Sequence, residues 1–181
     1  QVLYPVHHKQ KLQLLEHLLL SDEMKRAIVF TRTKRGAKTL ASKLERTKLR
    51  AAGLQGNMSQ TQREKVMRGF KTGYYDVLVA TDIAARGIDI KGLSHVINYD
   101  APDTADAYTH RIGRTGRAEQ YGKAYTFITN DDRELVKSVE RRLKMQIEQV
   151  VIDDFVNYEG EDVRSLAPQP RNPKGGRGRQ S

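Results

Sequence analysis

The sequence predicts an α/β fold, a parallel sheet with helices on both faces. Three observations lead there. Short apolar runs recur at residues 27–30 (AIVF), 76–80 (DVLVA), 95–99 (HVINY) and 124–128 (AYTFI). The first is bounded by charged residues and too short for a buried helix, so it reads as a strand covered on both faces, and the others follow suit. Segments with helical spacing of apolar residues lie between them, and strands alternating with helices in one short chain imply a parallel sheet.

The elements are expected in this order. Residues 9–20 (KQKLQLLEHLLL) form an amphipathic helix with Leu12, Leu15 and Leu19 on one face. After the strand at 27–30, residues 36–46 (GAKTLASKLER) form a helix that buries Ala37, Leu40, Ala41 and Leu44. A weaker strand follows at 50–54. Ser59, with Gln62 three residues on, has the pattern of a capping box and opens a helix to about Arg68. Beyond the strands at 76–80 and 95–99, residues 104–110 are helical with Asp103 as the expected N-cap. Asp131 is expected to cap a long basic helix to about Met145, and a last strand falls at 148–152.

A chain of 181 residues is long enough for one domain with a real core. Hydrophobic residues make up 38% and charged residues 30%, so most of it should fold. Lys and Arg number 32 against 22 Asp and Glu, a formal charge of +10. That excess points to a polyanionic partner, nucleic acid first and an anionic membrane surface second. No apolar run approaches the ~20 residues of a membrane span, and no signal peptide opens the chain. Without cysteine there is neither a disulfide framework nor a thiolate zinc site. The five histidines show no ligand spacing, and the pair His7-His8 reads as solvated surface. A soluble intracellular protein is the default expectation.

From about residue 153 the pattern stops. Residues 164–181 hold five basic residues, no acidic ones, three prolines and three glycines. Such a stretch cannot pack a core and reads as a disordered basic tail. The expected division is a folded domain at 1–152 and a low-complexity tail at 153–181.

Ligands of parallel sheets bind in loops at the carboxyl ends of the strands, and the charged, glycine-containing stretches sit in those loops. The segment HRIGRTGR (110–117) carries Arg111, Arg114 and Arg117 at intervals of three. On a helix followed by a turn at least two can converge on one anion, with glycines that permit close approach. The plainer alternative is a solvated helix end, where cations favour the dipole. In TDIAARGIDI (81–90), Thr81 offers a hydroxyl, Arg86 and Gly87 a cation beside an exposable amide, and Asp89 an acceptor for sugar hydroxyls. Alternatively this is a turn in which Asp82 or Asp89 caps the backbone. QGNMSQTQRE (55–64) sets Gly56, Gln60 and Arg63 around a helix N-terminus, a seat for phosphate or simply a capped surface helix. The basic helix at 133–144 reads as a solvated face. No GxxxxGK[ST] occurs, no carboxylate pair is placed to hold magnesium, and no Ser/His/Asp arrangement suggests covalent chemistry. The chain carries arginines suited to phosphoryl transfer without the parts that bind a triphosphate: half a site.

Taken together and in this order, these stretches resemble the second RecA-like domain of DEAD-box RNA helicases, over nearly all of residues 1–152. IVFTRTKRGA (28–37) looks like motif IV, GNMSQTQRE matches the Gly…Gln-x-x-Arg segment, ATDIAARGIDI looks like motif V and HRIGRTGR like motif VI. The leading histidine favours DEAD-box proteins over neighbouring superfamily 2 helicases. The intervening sequence resembles bacterial cold-shock and ribosome-assembly members.

The resemblance implies roles. Arg114 and Arg117 are arginine fingers reaching the γ-phosphate of ATP held, with Mg2+, mainly by a first RecA-like domain. Asp89 binds the ribose and Gly87 lies against the nucleotide. His110 couples the ATP and RNA sites. Thr33, Gly56, Gln60, Arg63, Thr81 and Arg86 contact the RNA sugar-phosphate backbone. Gln55 departs from the family, which often has His before the Gly. The Q motif, the Walker A loop, the DEAD box and the SAT motif are missing, so the chain is expected to be one half of a cytoplasmic helicase, inactive alone as an ATPase, with no metal site of its own. Its partners are RNA and the N-terminal RecA-like domain, not a membrane. The competing expectations are a non-enzymatic RNA-binding or annealing module and, more weakly, a DNA-directed superfamily 2 helicase.

Overall fold

The computed structural model describes residues 1–21, 24–88, 92–114 and 122–152. Among them seven strands form one all-parallel sheet: β1 (Val2–Pro5), β2 (Ala27–Phe30), β3 (Ala51–Leu54), β4 (Val77–Ala80), β5 (His95–Asn98), β6 (Lys123–Ile128) and β7 (Glu148–Gln149). Their order is β3-β4-β2-β5-β6-β1-β7. Helices α1 (Lys11–Leu19), α2 (Lys34–Arg46), α3 (Gln60–Lys71), α4 (Asp82–Ala85), α5 (Ala105–Ile112) and α6 (Arg133–Leu143) connect them.

The central strands are apolar at every position because both faces are covered. In register, Val29 lies opposite Val79 on one side and Ile97 on the other. Successive side chains alternate between the faces. Val29, Val77, Val79 and Ile97 pack under Leu14 and Leu18 of α1 and Leu40 and Leu44 of α2. Ile28, Phe30, Leu78 and Val96 pack under Phe70, Val66 and Met67 of α3. A third cluster joins Leu3 and Ile128 to Tyr108 of α5 and to Val136 and Val139 of α6. The crossovers from β2 to β3 and from β3 to β4 run in opposite directions across the sheet, which places α2 and α3 on opposite faces.

Local chemistry sets several boundaries differently from expectation. β1 is an additional strand, pairing with both β6 and β7. Helix α1 starts at Lys11, since His8–Gln10 form a 3-10 turn whose cap is the His7 ring, Nδ1 accepting from the Lys9 amide at 3.3 Å. Its fully buried leucines are Leu14, Leu15, Leu18 and Leu19, with Leu12 only partly covered. Helix α2 begins two residues before Gly36, where the Thr33 hydroxyl accepts from the Gly36 amide at 2.9 Å.

The N-cap of α5 is Thr104, not Asp103: its hydroxyl accepts from Ala107 N at 3.1 Å, while Asp103 points outward toward Arg32. Asp131 does not cap the basic helix either. A 3-10 turn at Asn130–Asp132 intervenes, closed by Thr129, whose amide and hydroxyl each donate to Asp132 Oδ2 at 2.8 Å. α6 then ends at Leu143 because Lys144 turns left-handed, φ 55°. The last strand is two residues long, not five. The Ser59–Gln62 capping box is present as expected. The chain from 153 onward, including the expected tail, lies outside the described residues.

Candidate nucleotide and nucleic-acid interface

Four neighbouring strands, β3, β4, β2 and β5, deliver their carboxyl ends to one edge, and the segments singled out in the sequence follow them. Gln55 and Gly56 follow β3, Thr81 follows β4 and Thr33 follows β2. The backbone of α5, two turns past β5, carries His110 and Arg111.

Arg111 is the strut of this edge. It is 3% exposed, and it donates from Nε to Asp82 Oδ1 and from Nη2 to Asp82 Oδ2, both at 2.7 Å. Nη1 donates to Asn98 Oδ1 at 3.2 Å and to the Asp100 carbonyl at 2.7 Å. The guanidinium also lies over the Phe30 ring, 5.0 Å from its centroid. A planar cation is thus fully engaged with a carboxylate, an amide, a carbonyl and an aromatic face. Of the three arginines with an interval of three, this one is a structural tie between α4, α5, β2 and β5, with four of its five N–H groups donating to these partners at the wall of the cavity that opens beside Arg114.

Arg114 lies one helical turn on and is only partly buried. Its Nη1 donates to the Ile88 carbonyl at 2.9 Å, which moors the end of α5 to the loop after α4. Between Arg114, Gly113, His110, Arg86 and Asp82 opens a cavity of about 490 Å³. His110 and Arg86 are exposed there. Three residues of positive or protonatable character on one rim suit an anionic ligand. Gly113 ends α5, and a Cβ on it would approach the Thr109 carbonyl oxygen to 3.2 Å. Gly87 holds φ +75°, the left-handed region that favours glycine, with open space where a side chain would stand.

The two threonines expected to meet RNA are both helix caps. Thr33 caps α2, as described, and the Thr81 hydroxyl accepts from the Ala84 amide at 3.4 Å, opening α4. Thr33 is exposed while Thr81 is 8% exposed. Arg63 donates from Nη2 to the Ala84 carbonyl at 3.2 Å, which brings the first turn of α3 against α4. Gly56 is exposed, and a Cβ there would meet nothing within 4 Å, so neither packing nor conformation demands glycine. Gln60 is exposed and donates to Glu64 Oε1 at 3.1 Å. Asp89 and Arg117, expected to bind ribose and γ-phosphate, lie outside the described residues.

Sequence reasoning missed a second tie. Lys11 is 5% exposed and donates to the Tyr99 carbonyl at 2.9 Å and to Asp100 Oδ1 at 3.3 Å. Asp100 Oδ2 in turn accepts from the Arg32 amide at 2.9 Å, so one carboxylate connects α1 to the segment that ends in the Thr33 cap. Its only signal in the sequence is a lysine on an otherwise leucine-rich helix face. Burial, with the neighbouring Asp100 and Glu16 carboxylates, pushes the Tyr99 phenol up to about 12.

Among the described residues no three His, Asp or Glu side chains come together to hold a metal ion. The donor set of this edge is cationic and suits phosphate, not Mg2+. No helix among the described residues is long and apolar enough to cross a membrane.

Residues 10–119 match the helicase conserved C-terminal domain. The chain is 43% identical over 159 residues to RNA helicase CrhR of Synechocystis, covering 88% of this chain and 32% of that protein. It is 45% identical over 145 residues to DEAD-box ATP-dependent RNA helicase CshA of Geobacillus kaustophilus, covering 80% and 31%. It spans about a third of the length of these curated relatives. Among solved structures it is similar to E. coli DEAD-box protein SrmB, crystallised with regulator of ribonuclease activity A, at TM-score 0.81 and 37% identity, with 97% of each chain covered. The fold, the family match over residues 10–119 and the relatives agree: this chain belongs to the DEAD-box RNA helicases, as their RecA-like C-terminal domain.

Proposed function

We propose that this chain is the second half of an ATP-dependent RNA helicase, which closes against a first RecA-like domain when ATP and RNA bind. Arg114 and Arg117 act as arginine fingers on the γ-phosphate, Asp89 and Gly87 hold the ribose side of the nucleotide, and His110 links the two ligand sites. Arg114 and Arg117 place fixed positive charge where charge spreads over the transferring phosphoryl oxygens, an effect worth ~10³–10⁵ in rate. Mg2+ would be held by the first domain rather than by residues of this chain, and would supply charge neutralisation at the phosphates. Thr33, Gly56, Gln60, Arg63, Thr81 and Arg86 bind the sugar-phosphate backbone, so recognition is independent of base sequence. Closure bends one strand out of a short duplex, and hydrolysis resets the cleft. Residues 153–181 form a basic tail that adds a nonspecific RNA contact. The protein works in the cytoplasm.

The observation that carries this reading is the cavity of about 490 Å³ rimmed by Arg86, His110 and Arg114, beside strand ends that bear Thr33, Gly56 and Thr81. Two mooring bonds support it: Arg114 donates to the Ile88 carbonyl in the loop just past α4 and Arg63 to the Ala84 carbonyl within α4. A binding module needs no such convergence.

The test is ATP turnover by this chain alone and joined to a DEAD-box first domain. The chain alone is expected to show none above background, and the joined protein RNA-stimulated turnover. Turnover by the isolated chain, or none by the joined protein although it binds RNA, contradicts the proposal. Stimulation by DNA equal to that by RNA assigns it to DNA instead.

A further inference from the structure

Among the described residues the strand order leaves β3 at one margin of the sheet, paired with β4 alone. Val77 N donates to the Arg50 carbonyl at 3.1 Å. In a parallel ladder alternate residues turn their polar groups to the same side. Ala52 and Leu54 therefore face β4, and Gly53 turns its N–H and C=O outward. Helices α2 and α3 flank this margin from opposite faces. Between them lies a groove of about 750 Å³ with Gly53 in its floor, where a Cβ would come within 3.3 Å of Ala41 Cβ.

The walls differ in chemistry. The α2 wall carries Lys34, Arg35 and Lys38 against one carboxylate, Glu45, and the opposite wall presents Met58, Val66 and Tyr75 with Lys65. Lys34 Nζ donates to Asn57 Oδ1 at 3.0 Å across the mouth of the groove. An unpaired strand edge is a template for another strand, and here its two walls ask for opposite side-chain types. Consecutive residues of an added strand point to opposite walls.

We propose that this groove receives an extended acidic segment of a partner protein, which adds to β3 as a further strand. Its acidic side chains face α2 and its apolar ones face Met58, Val66 and Tyr75. Within this chain residues 164–181 do not fit, with five basic residues and no acidic ones. The acidic stretch 153–163 leaves from the β7 margin, six strand spacings or about 29 Å from β3, so its eleven residues cannot both cross the sheet and pair along β3. RNA would satisfy the cations but leaves the outward N–H and C=O of Gly53 and the apolar wall unused. The proposal is independent of the nucleotide chemistry at the carboxyl edge.

The experiment selects binders of the intact chain from a displayed library of random dodecapeptides. A Lys38→Glu/Lys65→Glu double variant is the control, both lysines being exposed and its folding verified by thermal melting. Enriched peptides should alternate acidic and apolar residues and bind the variant at least about tenfold more weakly, a change of ~1.4 kcal/mol. N-methylation of a selected peptide on the edge that faces β3 should abolish binding, and on the other edge leave it. Selection of peptides without that alternation, equal binding to the variant, or indifference to N-methylation on both edges overturns the proposal. Loss of oligouridylate binding in the variant, with no acidic peptide enriched, assigns the groove to RNA.

Discussion

Arg111 and Asp82 are joined by two hydrogen bonds of 2.7 Å in a side-by-side geometry, although they stand 29 residues apart in sequence. The pair is lopsided in burial: the Arg111 side chain is 3% exposed and that of Asp82 48%. The cation is thus the member taken out of water, and the carboxylate is what makes its burial tolerable. Asp82→Ala leaves the guanidinium with Asn98, a carbonyl and the Phe30 ring, a loss of roughly 2–4 kcal/mol after allowing for the exposed side of the pair. Urea denaturation measures it. A loss below about 0.5 kcal/mol, ordinary for a surface change, would show that the pair is not a structural tie.

Gly87 yields a prediction of opposite character. At φ +75°, with nothing within 4 Å of an added Cβ, alanine costs backbone strain and no packing. Gly87→Ala should lower stability by about 1–2 kcal/mol, and in the joined two-domain protein it should reduce turnover by shifting Arg86 and the loop that moors Arg114. Unchanged melting together with unchanged turnover would contradict this.

The Ser59 capping box is the simplest local test. Its hydroxyl accepts from Gln62 N at 3.2 Å while Gln62 Oε1 accepts from Ser59 N at 3.0 Å. Ser59→Ala should cost about 1 kcal/mol. The same denaturation curve with an unchanged midpoint would show that α3 is held by packing alone.

Tyr108 predicts a pH dependence. Burial, aided by the Glu140 charge, pushes its phenol up to about 12 against an ordinary value of 10. The folded state therefore keeps its proton where the unfolded chain loses it, and stability present below pH 10 declines as pH rises toward 12. The gap corresponds to at most roughly 2–3 kcal/mol. Tyr108→Phe gives up the hydrogen bond to Gln1 Oε1, 2.9 Å long, and should flatten the alkaline decline. Identical slopes for both proteins between pH 10 and 12 would contradict it.

What the sequence made legible follows from periodicity. The runs AIVF and VLVA are apolar throughout because they are central strands covered on both faces, and their assignment needs no knowledge of neighbours. β1 escaped because VLYP is four residues long and ends in proline, and only its pairing with β6 and β7 makes it a strand. At the site, glycines and arginines marked the right loops, yet spacing could not say which arginine turns inward. Arg111 and Tyr108 are one helical turn apart and share the buried face of α5, whereas Arg114 follows the turn at Gly113. That distinction depends on Asp82, the first residue of α4, and on Asn98 and Phe30, two strand ends brought together by the sheet order. The Lys11–Asp100 tie was hidden for the same reason: its partners are 89 residues apart.

The most direct measurement is RNA-stimulated ATP turnover of the joined two-domain protein as wild type, Arg114→Ala and Arg117→Ala, with RNA affinity measured in parallel. The account predicts a fall of ~10³-fold or more in each variant with RNA binding retained. Turnover unchanged in both variants, or lost only in step with RNA binding, would contradict it and make HRIGRTGR an RNA-binding or structural segment.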